Sequence, residues 1–228
     1  MSLPVERRTI KTSKSEPLNL SIMSGKTDPS PRQSRSNLDD YLAMLLYLAT
    51  DNSNAINLVV TPEFTLHFEV SSHSPIVTAL SHVYRNEHVL ITSALDTISN
   101  AVMLLIFQDG KHKIIKKGDT SMNRQKILSI DGIQVGVEHC FENQISNFRL
   151  PQSSVDLLVV PAHKLLCDEL LAFDRISKFR YPNLKSVSDY GHALLVDGYY
   201  TGANNGSYIS LTQKTPEGPK PLFHNASS

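Results

Sequence analysis

Two stretches constrain this chain more than any other: "INLVVTPEF" (56–64) and "VDLLVVPA" (155–162). Each is apolar without alternation and too short for a buried helix. A run of this kind reads as a strand covered on both faces, which requires helices packed against a sheet. Helical spacing is present as well. Leu38, Tyr41, Leu42, Leu45 and Ala49 recur on one face of "NLDDYLAMLLYLAT", with Ser36 or Asn37 as cap and Asp39 and Asp40 toward the positive end of the helix dipole. Ser74-Pro75 opens a second helix carrying Ile76, Leu80, Val83 and Tyr84 on one face.

Past residue 87 the period becomes that of strands. "HVLITSAL" is one, and "NAVMLLIFQDGKHKIIKK" is a pair joined at Asp109-Gly110, a dipeptide suited to tight hairpins. Asp131-Gly132 joins "KILSI" to "IQVGVEHC" in the same way. "LNLSIM" (18–23), "GHALLVDGYY" (191–200) and "GSYISLT" (206–212) complete the strands, and "HKLLCDELLAF" (163–173) reads as a helix with Cys167 in its apolar face. The order predicts an α/β (α+β) chain with mixed sheets covered by helices. One domain is expected over 18–215, with a polar arm at 1–17 and a tail at 216–228.

Composition excludes several functions. Twenty-two basic residues balance 22 acidic ones, so no nucleic-acid partner is expected. No apolar stretch approaches the roughly 20 residues of a membrane helix, and the first residues lack the apolar core of a signal peptide. Two cysteines build neither a disulfide framework nor a metal cluster, and a Cys140–Cys167 bridge is the one pairing they permit. The expectation is a cytoplasmic protein without metal or cofactor.

Three apolar runs end on reactive groups: Glu63 after "NLVVTP", Lys117 after "KHKIIK" and Cys140 after "IQVGVEH". Strand ends can converge at one rim of a sheet. There a carboxylate can take a thiol proton, a thiolate can attack carbon, and an ammonium can hold developing negative charge. Against this, an isolated cysteine is more often inert packing. Glu63 alone would be an ordinary loop carboxylate, and Lys111, Lys113, Lys116 and Lys117 a solvated charge run. His139, next to the thiol, is set aside because neighbours on a strand face opposite ways. A Cys-His dyad would then need a distant His67, His163 or His192.

In this order, "NLVVTPEF", "NAVMLLIFQDGKHKIIKK" and "IQVGVEHCFEN…VDLLVVPA" resemble the successive motifs of the nitrilase superfamily of carbon–nitrogen hydrolases, over about residues 55 to 165. The resemblance implies a four-layer α-β-β-α sandwich and a Glu-Lys-Cys triad. Glu63 would be general base and acid. Lys117, preferred to Lys116, would stabilise the tetrahedral intermediate together with the Phe141 N–H. Cys140 would be the nucleophile that forms a thioester, and Glu142 a structural support. Phe64, His67 and His163 fall where such proteins build the substrate pocket.

The resemblance further implies a small amide as substrate, then a nitrile or carbamoyl compound, and a homodimer. Departures are visible too. The loop "GDTSMNRQK" carries only Asp119 where the family often has a second glutamate, and the segment after Cys140 and the end of the chain differ. A catalytically silent binding protein of the same fold and an unrelated Cys-His acyl-transfer enzyme are the alternative readings.

Overall fold

The computed structural model describes residues 5–11, 17–23, 25, 27, 35–50, 57–85, 88–163, 182–200 and 206–227. Two mixed sheets share one core. The first holds β1 (Val5–Ile10), β2 (Leu18–Met23), β3 (Asn57–Val60), β5 (His88–Asp96), β6 (Val102–Gln108) and β7 (Lys111–Lys116) in that order, with β4 (Leu66–Phe68) also on β5. The second runs β13 (Gly218–Ser227), β12 (Gly206–Thr215), β11 (Val187–Tyr200), β10 (Val155–Ala162), β9 (Ile133–Val137) and β8 (Ile127–Ile130). Parallel pairs lie at the centre of both (β2–β3–β5 and β9–β10–β11) and hairpins at the flanks.

The unbroken apolar runs are explained by burial on both faces. Leu58 and Val60 of β3, Val89 and Ile91 of β5, and Leu104 and Ile106 of β6 meet Val135, Val137, Leu157, Val159, Leu194 and Val196 from the other sheet. The alternate residues Val59, Leu90, Leu105 and Phe107 turn outward. There they pack under α1 (Arg35–Leu48) and α2 (Pro75–Val83), through Tyr41, Leu45, Val77 and Leu80. Each such side chain contributes about 1.5–3 kcal/mol on leaving water. On the second sheet Leu158, Val160, Ala193 and Leu195 are buried on the face away from the shared core. The helix read from 163–173, with Cys167, lies outside the described residues. The structure therefore shows an α+β chain of two mixed sheets.

Both Asp-Gly hairpins form, with positive φ at each central residue (Asp109 +53°, Gly110 +71°; Asp131 +48°, Gly132 +79°), as tight hairpin turns require. Three expectations change. Residues 5–10, read as part of a loose arm, form edge strand β1, and the expected tail forms edge strand β13. The charges Glu6, Arg7 and Arg8 and the prolines Pro219 and Pro221 hid them, yet both residue types belong on sheet edges. Helix α1 starts at Arg35, so Asp39 and Asp40 lie beyond its first turn.

Gly136 sits where β9 passes closest to its cover. A Cβ there would lie 2.5 Å from Leu150 Cδ1 and 2.6 Å from Val155 Cγ1. Gly136→Ala should cost about 1–3 kcal/mol of stability from overpacking, read as a lower midpoint in urea denaturation.

Candidate active site

Glu63 owes its place to a gap between two strands. β3 pairs with residues 88–91 of β5 and β4 with residues 94–96, so the chain between them must leave the sheet and return. Thr61 N–H donates to Ile91 O at 3.1 Å, the Thr65 hydroxyl donates to Pro62 O at 2.7 Å, and Phe64 takes a φ of +61°. A bulky residue held left-handed costs about 1–3 kcal/mol, which the surrounding bonds must outweigh. Glu63 N–H then donates to Ala162 O at 3.2 Å, reaching the end of β10 in the other sheet. The carboxylate is buried between the two sheets.

Lys117 follows β7 and continues the hairpin by donating its N–H to Val102 O at 2.9 Å. Its ammonium forms a salt bridge and hydrogen bond with Glu63 Oε1, while Lys116 is exposed. Of the two adjacent lysines, the hairpin thus turns Lys117 to the carboxylate. Lys117 Nζ also lies 4.6 Å from the centre of the Phe141 ring, which meets Phe148 edge-to-face at 5.7 Å.

β9 ends at Val137, and a short 3-10 turn covers Cys140–Asn143. Cys140, with a φ of +52°, is a free, buried thiol that donates to the His163 carbonyl across 3.6 Å. Burial and the neighbouring Glu63 charge push this thiol up to about 12, with Lys117 opposing. Burial also raises Glu63 above the usual carboxylate range, although Lys117 and the Cys140 thiol pull the other way. The site at rest is therefore a neutral thiol beside a carboxylate–ammonium pair. Phe141 stands in the first turn of the 3-10 segment, where amides lack intrahelical partners.

Glu142 organises the neighbourhood from underneath. Its Oε1 accepts from Gly118 N–H at 2.7 Å and from Lys126 Nζ at 2.8 Å, and its Oε2 accepts from His139 N–H at 2.9 Å. One fully buried carboxylate thus ties the residue after Lys117 to the residue before Cys140. Lys126 escaped the sequence reading because a lysine ahead of a strand looks solvated. Only its 1% side-chain exposure marks it. Glu138, the other acid near Cys140, is used structurally: it accepts from Leu150 N–H at 3.0 Å, from Asn143 Nδ2 at 2.7 Å and from the Ser186 hydroxyl. Asp119, the one acid of the loop after Lys117, accepts from Ser121 N–H at 3.0 Å and caps a turn.

The Phe64 and His163 rings meet edge-to-face at 5.3 Å, and His163 Nδ1 lies 3.0 Å from Thr27 Oγ1. His67 is buried within β4, opposite Leu95. His139 corrects the strand argument. The strand has ended before it, so its side chain is free of the alternation rule, and its buried ring places Nε2 3.9 Å from Glu63 Oε1. Burial, Lys117 and Lys126 hold this imidazole neutral by lowering it well below the ordinary histidine range. Among the described residues no cluster of three or more His, Cys, Asp or Glu could hold a metal ion, and no helix is long and apolar enough to cross a membrane.

No protein-family model and no curated protein matches the sequence. Solved structures do. XC1258 from Xanthomonas campestris, a CN-hydrolase superfamily protein described with an arsenic adduct in its active site, superposes with a TM-score of 0.55 at 18% identity, over 92% of this chain and 86% of that one. The chain shares the fold of that CN-hydrolase superfamily protein. A glutamine-dependent NAD(+) synthetase from Cytophaga hutchinsonii aligns at a TM-score of 0.47 and 8% identity, over 90% of this chain and 40% of that one.

Two outcomes follow from this geometry. Lys126→Met leaves Glu142 buried without its counter-charge and should cost about 3–5 kcal/mol, measured by chemical denaturation. A small neutral alkylating agent should label Cys140 slowly at neutral pH, the rate climbing about tenfold per pH unit with no plateau below about pH 10. Glu63→Gln removes the negative neighbour, so its labelling curve should move to lower pH, as mass spectrometry after timed exposure would show.

Proposed function

We propose that this protein hydrolyses a non-peptide carbon–nitrogen bond, a small amide first and a nitrile or carbamoyl compound next, through Glu63, Lys117 and Cys140. One observation carries the reading: a buried thiol stands beside a buried carboxylate that is itself paired to an ammonium, at the strand ends of a carbon–nitrogen hydrolase fold. Burial raises Glu63, and this makes it a stronger base toward the thiol.

The reaction runs in two halves. Glu63 takes the thiol proton as Sγ bonds to the substrate carbonyl carbon. The oxyanion that forms is held by the Lys117 ammonium and the Phe141 N–H. Glu63 returns the proton to the nitrogen, the C–N bond breaks, the amine or ammonia leaves, and a thioester on Cys140 remains. Water then gives a proton to Glu63 while its oxygen attacks the thioester carbon. The second tetrahedral intermediate expels Sγ, which recovers the proton, and the acid is released.

The His163 backbone carbonyl, rather than its ring, meets the thiol, which disfavours the Cys-His alternative. The four-layer sandwich belongs to the same proposal. So do a homodimer, a cytoplasmic setting and independence from nucleic acid, membrane, metal and cofactor.

Ammonia release from a panel of amides, nitriles and carbamoyl compounds tests the reading. Cys140→Ala, Glu63→Gln and Lys117→Ala should each lower turnover by about a thousandfold or more. Wild-type turnover in Cys140→Ala would remove the nucleophile. Folded protein inert on the whole panel would favour the silent binding protein.

A further inference from the structure

His139 is a buried polar group beside Glu63 that this mechanism leaves unused. Its side chain is fully buried, and Nε2 has no hydrogen-bond partner. A polar atom buried in this way costs on the order of 1–3 kcal/mol, so an aliphatic residue would be the better packing choice if only packing mattered. The ring is also aimed. Nε2 stands 3.9 Å from Glu63 Oε1, the same oxygen that holds the Lys117 ammonium. A hydrogen bond forms near 2.9 Å, so an approach of about 1 Å separates the resting contact from a bond.

We infer that His139 is a positioning residue for Glu63, whose Nε2–H takes over Oε1 when Lys117 turns its ammonium to the reacting oxygen. The inference rests on Glu63 and Lys117 having the roles proposed above. Those roles create the need. When Glu63 gives its proton to the leaving nitrogen it becomes a carboxylate again, and at that moment Lys117 is engaged with the oxyanion. A buried carboxylate without a donor is a poor leaving form of the acid, and a second donor beside it makes the proton transfer easier.

The neighbours fit the role. Burial first, then Lys117 and Lys126, opposes a charge on the ring, so His139 offers a neutral N–H and does not compete for the proton. The proton belongs on Nε2, because a ring lone pair facing a carboxylate oxygen is repelled. The other groups around Glu63 are the Cys140 thiol, neutral at rest, and the Glu142 carboxylate. Glu142 also accepts from the His139 backbone N–H at 2.9 Å, which fixes the residue at the base of the site.

The test separates this role from the hydrolase reading because its first readout needs no turnover. Carbon-13 NMR follows the titration of the Glu63 carboxyl, assigned by its loss in Glu63→Gln, in Lys117→Ala protein where Oε1 has lost its ammonium. Adding His139→Phe, which keeps a ring but no donor, should move the Glu63 titration to higher pH. Adding His139→Gln, whose amide nitrogen reaches a similar point, should return most of that change. Identical titrations in all three overturn the inference.

If the Phe variant does not fold, His139→Met serves in its place and thermal melts report which variants are native. Where the wild type turns over an amide, His139→Phe in the unaltered triad should lower kcat about tenfold with KM unchanged, with recovery in His139→Gln. Unchanged kcat in folded His139→Phe also overturns it. A wild type that is inert on every substrate, yet shows the NMR effect, counts against the hydrolase reading alone.

Discussion

The site depends on the carboxylate of Glu142. It accepts from Gly118 N–H, His139 N–H and Lys126 Nζ, and so binds the turn after β7 to the turn after β9. Lys117 and Cys140 hang from those two turns, which lie at the ends of strands in different sheets. A buried ion pair adds little net stability against an apolar substitute, but removing one partner strands a charge. Its value here is positional. It fixes where two turns meet, and with them the residues Lys117 and Cys140 that they carry.

Above it, a second charged pair does different work. Lys117 and Glu63 satisfy each other at rest, and burial keeps the Cys140 thiol protonated beside them. The backbone shares in this arrangement: Phe64 and Cys140 both take left-handed conformations at the points where the chain carries reactive groups out of the sheets. Such strain persists only where the surroundings over-determine it, and the bonds of Thr61, Thr65 and Glu142 do so.

Much of this was legible in the residues. Val59 and Leu90, turned outward from Leu58 and Val89, show why "NLVV" and "HVLI" had to be covered on both faces, and the Asp-Gly pairs marked both hairpins. The edge strands were not legible, because charge and proline suit an edge and also suit a loop. Glu63, Lys117 and Cys140 stood out by position at strand ends, and the choice between Lys116 and Lys117 came down to which side of the hairpin faced the carboxylate. The strand argument did not apply to His139 for a definite reason: alternation holds within a strand, and β9 had already ended at Val137. Lys126 gave no signal at all, since a lysine's burial is decided by what folds over it.

The sequence by itself determined the central strands, both hairpins and the placing of Glu63, Lys117 and Cys140 after apolar runs, because apolar periodicity and turn chemistry act over a few neighbours. Only the tertiary structure decided that Glu63 sits against Lys117 and the thiol, that Glu142 answers to Lys126, and that His139 looks inward. Those are contacts between segments tens of residues apart. They depend on burial, which removes water from charges and makes each one answer to whatever lies beside it, and burial is a property of the assembled sheets and not of any one segment.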